Sequence, residues 1–293
     1  MKSSKIIIIL SIALALLFAI VVFYNFATAG EAISEDKISW IKETPIAHRG
    51  LHTKDIPENS LSAFENALKN NYAIELDVQF TKDKEVVVFH DENLKRMTND
   101  TRNIEDVNYD ELKNLRLGNT NEIIPTLEEV LELVDSKVAI LIEIKDCKDY
   151  IELSEKTYEI LKGYEGNYAI QSFNPFILEW YKNNASEVIR GQLSGTFTEG
   201  SESLNSFEKF ALKNMLLNFK SKPNYIGYDL EGIPKSKLES LRKKGVPIIV
   251  WTVKNKEDME KAYKYSDNIT FEIFYQNKLY YRLTKLLHIN IMK

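Results

Sequence analysis

The longest apolar run opens the chain. From Ile6 to Phe23 only Ser11 is polar, Lys2 and Lys5 precede the run, and the next charge is Glu31. A helix over 6–27 would span roughly 33 Å at ~1.5 Å per residue, enough to cross a bilayer core of about 30 Å. Lysines before the run and Glu31, Glu35 and Asp36 after it predict a cytoplasmic N-terminus and an extracytoplasmic remainder. The expectation is a single-pass membrane protein anchored by residues 1–30. The alternative is a secreted protein cleaved near Ala29, because Ala27-Thr28-Ala29 has the small-x-small form of a signal-peptide site. Residues 31–43 then read as a short linker.

Beyond the linker, β-rich runs alternate with helical ones. The pattern predicts strands over 45–49, 73–78, 85–90, 138–144, 168–173, 188–193, 225–229 and 247–253. It predicts helices over 60–70, 127–134, 150–161, 175–183, 206–218, 235–244 and 256–264. Runs such as Val138-Ala139-Ile140-Leu141-Ile142 are apolar on both faces, as in parallel strands covered by helices. Eight such strands predict an α/β fold, a distorted (β/α)8 TIM barrel over 44–275. Two features strain a simple repeat. About six residues separate the second and third strands, and a parallel crossover needs a dozen or more. The polar stretch 91–124 is too long for an ordinary loop and reads as a small inserted lobe near the barrel mouth.

Composition narrows the function. The chain has 293 residues, 44% apolar and 28% charged, with a formal charge of −5. That is globular, and the acidic balance argues against nucleic acid as a partner. Cys147 is the single cysteine, which excludes an intrachain disulfide and a Cys-based zinc site.

Candidate chemistry gathers where strands end, the rim on which barrels of this type build active sites. His48 and Arg49 close the first strand. Glu75 and Asp77 share a face of the second, His90 ends the third, and Glu143 and Lys145 share a face of the fourth. Taken singly, each has a structural reading: a hydrogen-bonded histidine, a salt-bridged Arg49, a Glu143–Lys145 pair. Together they read as a site. Glu75, Asp77 and Glu143 offer hard oxygen ligands suited to one divalent ion, Ca2+, Mg2+ or Mn2+. Arg49 and Lys145 supply charge for an anion, and two histidines supply acid and base near neutral pH. That set suits hydrolysis of a phosphodiester.

The chain resembles the glycerophosphodiester phosphodiesterase family in Ala47-His48-Arg49-Gly50, Pro57-Glu58-Asn59-Ser60, Glu75-Leu76-Asp77-Val78, Val87-Val88-Phe89-His90-Asp91, Ile124-Pro125-Thr126-Leu127, Ile142-Glu143-Ile144-Lys145, Gln171-Ser172-Phe173-Asn174 and Trp251-Thr252-Val253. The resemblance implies metal-dependent hydrolysis of a small-molecule or lipid-derived glycerophosphodiester to an alcohol and glycerol 3-phosphate. It implies His48 and His90 as acid/base pair, Glu75, Asp77 and Glu143 as metal ligands, and Arg49 and Lys145 on the phosphate. It further implies Phe173 and Trp251 along the substrate pocket. Glu58 has two readings, a member of the polar network or a helix-start residue.

Two departures stand out. Lys84 occupies a turn where relatives often have Gly. Near the end, Asp267-Asn268-Ile269-Thr270-Phe271-Glu272 lacks the second Asp and the Pro of the usual motif. The stretch 276–293 reads as a basic amphipathic helix, either packed on the barrel or touching an anionic membrane.

Overall fold

A computed structural model describes residues 2–198 and 204–272. The apolar N-terminal run forms helix α1 (Lys2–Ala27). Within its Lys5–Ala27 stretch the most apolar 18 residues have none buried, with a mean hydropathy of 3.4. The segment 31–43 is folded beneath the barrel. It carries α2 (Glu35–Ile38) and a 3-10 turn, and it buries Ile38 and Ile41.

The strands are β1 (Ile46–Ala47), β2 (Ala73–Phe80), β3 (Val86–Val88), β4 (Ile140–Ile144), β5 (Tyr168–Ser172), β6 (Ile189–Ser194), β7 (Tyr225–Asp229), β8 (Ile248–Val253) and β9 (Asn268–Phe271). All pair in parallel except β3, and β1 closes the barrel by pairing with both β2 and β9. The result is a closed eight-stranded parallel barrel, as the alternation predicted.

Two of its members differ from expectation. The run at 85–90 is not a barrel strand: β3 turns back antiparallel on β2 through Thr81–Glu85. The short connection is the physical reason, since it suits a hairpin and not a crossover. The eighth barrel strand is instead β9, which the apolar pattern passed over because Asn268 and Thr270 put polar side chains at buried positions. Asn268 is satisfied there, its Nδ2 donating to the carbonyls of Ile41 and Thr44 at 2.8 and 2.7 Å.

The outer layer holds α3 (Leu61–Lys69), α6 (Leu127–Val134), α7 (Tyr150–Leu161), α8 (Pro175–Asn184), α9 (Ser206–Lys213), α10 (Asn218–Ser221), α11 (Lys235–Lys243) and α12 (Lys256–Tyr263). The predicted helix over 206–218 is two helices, broken where Met215 adopts a positive φ of 55°. Between β3 and α6, short turns α4 (Lys95–Thr98) and α5 (Tyr109–Leu112) surround an apolar cluster that includes Leu94, Ile104, Leu112 and Ile124. The stretch 276–293 lies outside the described residues.

The barrel interior is layered. At the base, Ile46, Ala73, Leu141, Ala169, Ile189, Tyr225 and Ile249 pack together with Ile38 and Ile41. Two residues further along each strand the same face carries Glu75, Glu143, Gln171, Gly191 and Gly227, then Asp77 on β2. Gly191 is required by a close approach: a Cβ there would lie 2.0 Å from the Tyr225 ring. The interior therefore turns from apolar to polar toward the strand C-termini.

Candidate active site

Three carboxylates form the floor of the mouth. Glu75, Asp77 and Glu143 are buried, and each offers an oxygen within 4.8 Å of the others. Strand register puts Asp77 directly beside Glu143. Packing like charges in a buried site is costly without compensation. The electrostatics divide accordingly. Burial, then the Asp77 and Glu143 charges, hold the Glu75 carboxyl well above its ordinary range. Asp77 goes the other way: burial would raise it, but Lys145, His90 and Arg49 together hold it below its ordinary value.

The compensating cations are in place. Lys145 Nζ donates to Glu143 at 2.8 Å and lies 3.5 Å from Asp77. Arg49 has its Nε 3.6 Å from Asp77 and donates from Nη1 to Glu58 at 2.6 Å. Its own backbone is left-handed, with φ 54°, followed by Gly50 at 78°. That tight turn aims the Arg49 backbone N–H at Glu75, 3.0 Å away.

His48 leaves β1 at the rim. Its Nδ1 lies 2.7 Å from the Glu272 carboxylate and its Nε2 4.0 Å from Glu75. A carboxylate can only accept, so Nδ1 carries the proton and Nε2 is the free acceptor. Burial pushes the imidazole below its ordinary value, against the pull of Glu272. Glu272 itself is held at about 2: burial would raise it, and the His48 bond outweighs that.

His90 reaches the same rim from above, because the β2–β3 hairpin carries the chain back toward Asp77. The Phe89 N–H bonds the Asp77 carbonyl at 3.0 Å, and Gln79 Nε2 donates to the carbonyls of Phe89 and Asp91 at 2.8 and 3.0 Å. His90 Nδ1 lies 2.8 Å from Asp91. Asp91 in turn accepts from Arg96 at 2.6 Å, and Arg96 also grips Glu58. Glu58 thus joins the polar network rather than capping α3, whose cap is the Ser60 hydroxyl accepting from the Ala63 N–H at 3.1 Å.

An aromatic wall completes the mouth. The Phe173 ring meets Trp251 edge-on at 5.5 Å and Phe197 at 5.9 Å. Trp251 Nε1 is buried and bonds no protein group.

The fold thus brings together His48, Arg49, Glu75, Asp77, His90, Glu143 and Lys145, and sets Phe173 and Trp251 against each other at the C-terminal ends of β5 and β8. Sequence reasoning missed Glu272, Asp91, Arg96 and Asn59 as members of the site. Asn59 Nδ2 donates to Asp77 at 2.9 Å. Asp91 and Asn59 stood in the motifs that carried the resemblance. Glu272 stood in the departing stretch 267–272, where the usual motif has its second Asp; Arg96 had no such signal.

The donor set fits a hard divalent ion on this structure's own terms. All three groups are anionic oxygen ligands, and Asp77 Oδ1 is buried with no hydrogen-bond partner.

Comparison with known proteins agrees with this picture. The sequence profile of the glycerophosphoryl diester phosphodiesterase family matches residues 48–266. A glycerophosphodiester phosphodiesterase of Caldanaerobacter subterraneus is 35% identical over 235 residues, covering 76% of this chain and 91% of that protein. The crystal structure of a glycerophosphodiester phosphodiesterase from Thermotoga maritima superposes with a TM-score of 0.63 at 28% identity, over 85% of this chain and 98% of the other. A phosphodiesterase from Oleispira antarctica, solved with the product sn-glycerol-3-phosphate, shares the fold with a TM-score of 0.66 at 22% identity, over 84% of this chain and 96% of the other.

Proposed function

The chain belongs to the glycerophosphoryl diester phosphodiesterase family of phosphoric diester hydrolases, and we propose that it cleaves glycerophosphodiesters to an alcohol and glycerol 3-phosphate. His48 is the general base. Its Nδ1–H is engaged by Glu272, which leaves Nε2 to take a proton from the attacking oxygen, either of water or of the substrate's glycerol 2-hydroxyl, whose cyclic phosphate a water then opens. His90 protonates the departing alcohol, and Asp91 orients its ring from Nδ1. Arg49 and Lys145 bind the phosphate oxygens, the Arg49 Nε–H making no hydrogen bond to the protein. Phe173 and Trp251 line the path of the substrate.

Glu75, Asp77 and Glu143 would hold one divalent ion, Ca2+, Mg2+ or Mn2+, whose bound charge would polarise a phosphoryl oxygen. With that charge present the three carboxylates can all be ionised.

The single observation that carries this reading is the buried triad flanked by two cations and two carboxylate-oriented histidines. The test is product identification. Purified full-length protein, supplied with a divalent ion and a panel of glycerophosphodiesters, should release glycerol 3-phosphate. Release of a phosphorylated headgroup with free glycerol would overturn the bond assignment.

Helix α1 is read as a retained anchor that holds the barrel outside the cytoplasm. Protease added to intact cells should then digest the barrel.

A further inference from the structure

Helix α1 does not end on a tether. Its last turn is built into the barrel's outer wall. Ala27 and Thr28 are fully buried. The Phe26 ring meets Phe219 of α10 at 5.7 Å, and the Lys237 ammonium of α11 sits 4.8 Å from the Tyr24 ring centre. Lys237 Nζ also bonds the Thr28 hydroxyl, and Asn218 Nδ2 bonds the Thr28 carbonyl. The chain then stays on the barrel: the Glu31 N–H bonds the Pro223 carbonyl at 2.8 Å, and Glu31 pairs with the buried Arg190 at 3.0 Å.

This leaves no spacer between bilayer and barrel. The apolar run ends at Tyr24–Phe26, so those aromatics mark the level at which α1 meets the interface. The residues they touch, on α10 and α11, must lie within a few ångströms of that level.

The wall around this exit has the composition of a membrane-contacting surface. Residues 205–244 contain nine Lys or Arg against four Asp or Glu, while the whole chain is −5. On α9, Phe207 and Phe210 stand one turn apart with 74% and 57% of their surface exposed. Beyond α1 no other described large apolar side chain is as exposed. Helix α9 belongs to the same wall. It leads through Met215 into α10, and the Tyr228 hydroxyl donates to the Lys213 carbonyl at the end of α9, 3.0 Å away.

We propose that the α9–α11 face lies on an anionic phospholipid surface, that of the bilayer holding α1. Phe207 and Phe210 enter the headgroup–acyl boundary, and Lys209, Lys213, Lys222 and Lys235 meet lipid phosphates, while Lys220 stays paired with Glu179 at 3.3 Å. Apolar aromatics interleaved with lysines suit that occupant better than a protein face, which would leave most of these charges unmatched. The inference rests on α1 being a retained anchor.

The experiment uses full-length protein in vesicles of neutral phosphatidylcholine, with or without anionic phosphatidylglycerol. A single cysteine carrying an environment-sensitive fluorophore is placed by Phe210→Cys, with Cys147→Ser removing the native thiol. The reference is Glu132→Cys, exposed on α6 across the barrel. Shallow spin-labelled lipid should quench the Phe210 site several-fold more than the Glu132 site, and more strongly in anionic vesicles. Lys209→Gln and Lys213→Gln together should reduce that anionic preference, each basic residue being worth roughly fivefold in partitioning. Equal quenching at both sites in an anchored chain would overturn the docking face alone. A mature chain beginning near Gly30 would overturn the anchor reading, and the face with it. A probe already buried in detergent, with a mass that rises with concentration, would assign the face to a second copy of the chain and refute the lipid contact.

Discussion

His48 Nδ1 and Glu272 Oε1 lie 2.7 Å apart across 224 residues of sequence, one at the end of the first barrel strand and the other just past the last. The barrel closes at that point, since β1 pairs with β9. Closure and orientation of the proposed base are therefore one structural event. The Asp expected near this position is absent, and Glu272 supplies a carboxylate with a longer reach.

Glu272 should accordingly act through His48. Glu272→Gln removes the charge and lets the amide donate to Nδ1, which favours the wrong tautomer. Turnover should fall on the order of 10²–10⁴-fold, the range of a lost acid–base group. KM should change little, because Glu272 is bonded to His48 rather than placed for the phosphate. Glu272→Asp should recover part of kcat. A KM effect with kcat intact would contradict this role.

The three carboxylates make metal removal informative. EDTA-treated protein should lose turnover, and Ca2+, Mg2+ or Mn2+ should restore it. Thermal unfolding provides a readout independent of activity. The ion binds only the folded triad, so adding it to stripped protein should raise Tm with its concentration. Asp77→Asn should abolish that rise. Full turnover by metal-free protein would remove the ligand assignment of Glu75, Asp77 and Glu143.

Arg96 ties the turns after β3 to the barrel by bridging Asp91 and Glu58. Burial would raise the Glu58 carboxyl, but Arg96 and Arg49 hold it at about 2, below its ordinary 4.5. The sign follows from linkage. Between these values the unfolded chain takes up the proton first, so the stabilisation is full above about 4.5 and is lost as pH falls toward 2. Urea unfolding of full-length protein in detergent should show this slope. Glu58→Gln should flatten it by on the order of 1–3 kcal/mol across the window. An unchanged slope would mean that Glu58 titrates alike in both states.

How much of this was legible in the sequence follows from periodicity. Glu75 and Asp77, two apart within an apolar strand, announce a shared inward face, and so do Glu143 and Lys145. Val86–Val88 misled because it is buried on both sides, Val87 against the turns after β3 and Val86 and Val88 against the main core. A hairpin strand so covered has the same apolar signature as a parallel barrel strand. Asn268 misled in the opposite way, as a polar residue satisfied inside the barrel. Glu272 was read only as part of a departing motif and Arg96 not at all, because their roles come from partners that only closure and the β2–β3 hairpin bring near. Residues 1–30 and 31–43 read as an anchor and a short linker, and the burial of Ala27 and Thr28 against α10 and α11 depends on residues far downstream.

The last prediction separates the two histidines. Both have Nδ1 bonded to a carboxylate, so tautomer alone does not assign base and acid. Their surroundings do. The His48 side chain is 14% exposed and that of His90 31%, and burial favours neutral His48 over its charged form. On the proposed mechanism His48 is the proton acceptor and His90 the donor. Either change to Ala should cut turnover of an alkyl diester by ~10²–10⁴-fold. The double variant should lose less than the product of the two, because the groups act as a unit. The leaving group then tells them apart. A nitrophenolate departs without a proton, so a glycerophosphoryl nitrophenol should restore most of the rate of His90→Ala. It should leave His48→Ala slow, because deprotonation of the nucleophile is still needed. Rescue of His48→Ala and not His90→Ala would exchange the two roles. Near-normal rates in both folded variants would remove the histidines from the mechanism altogether.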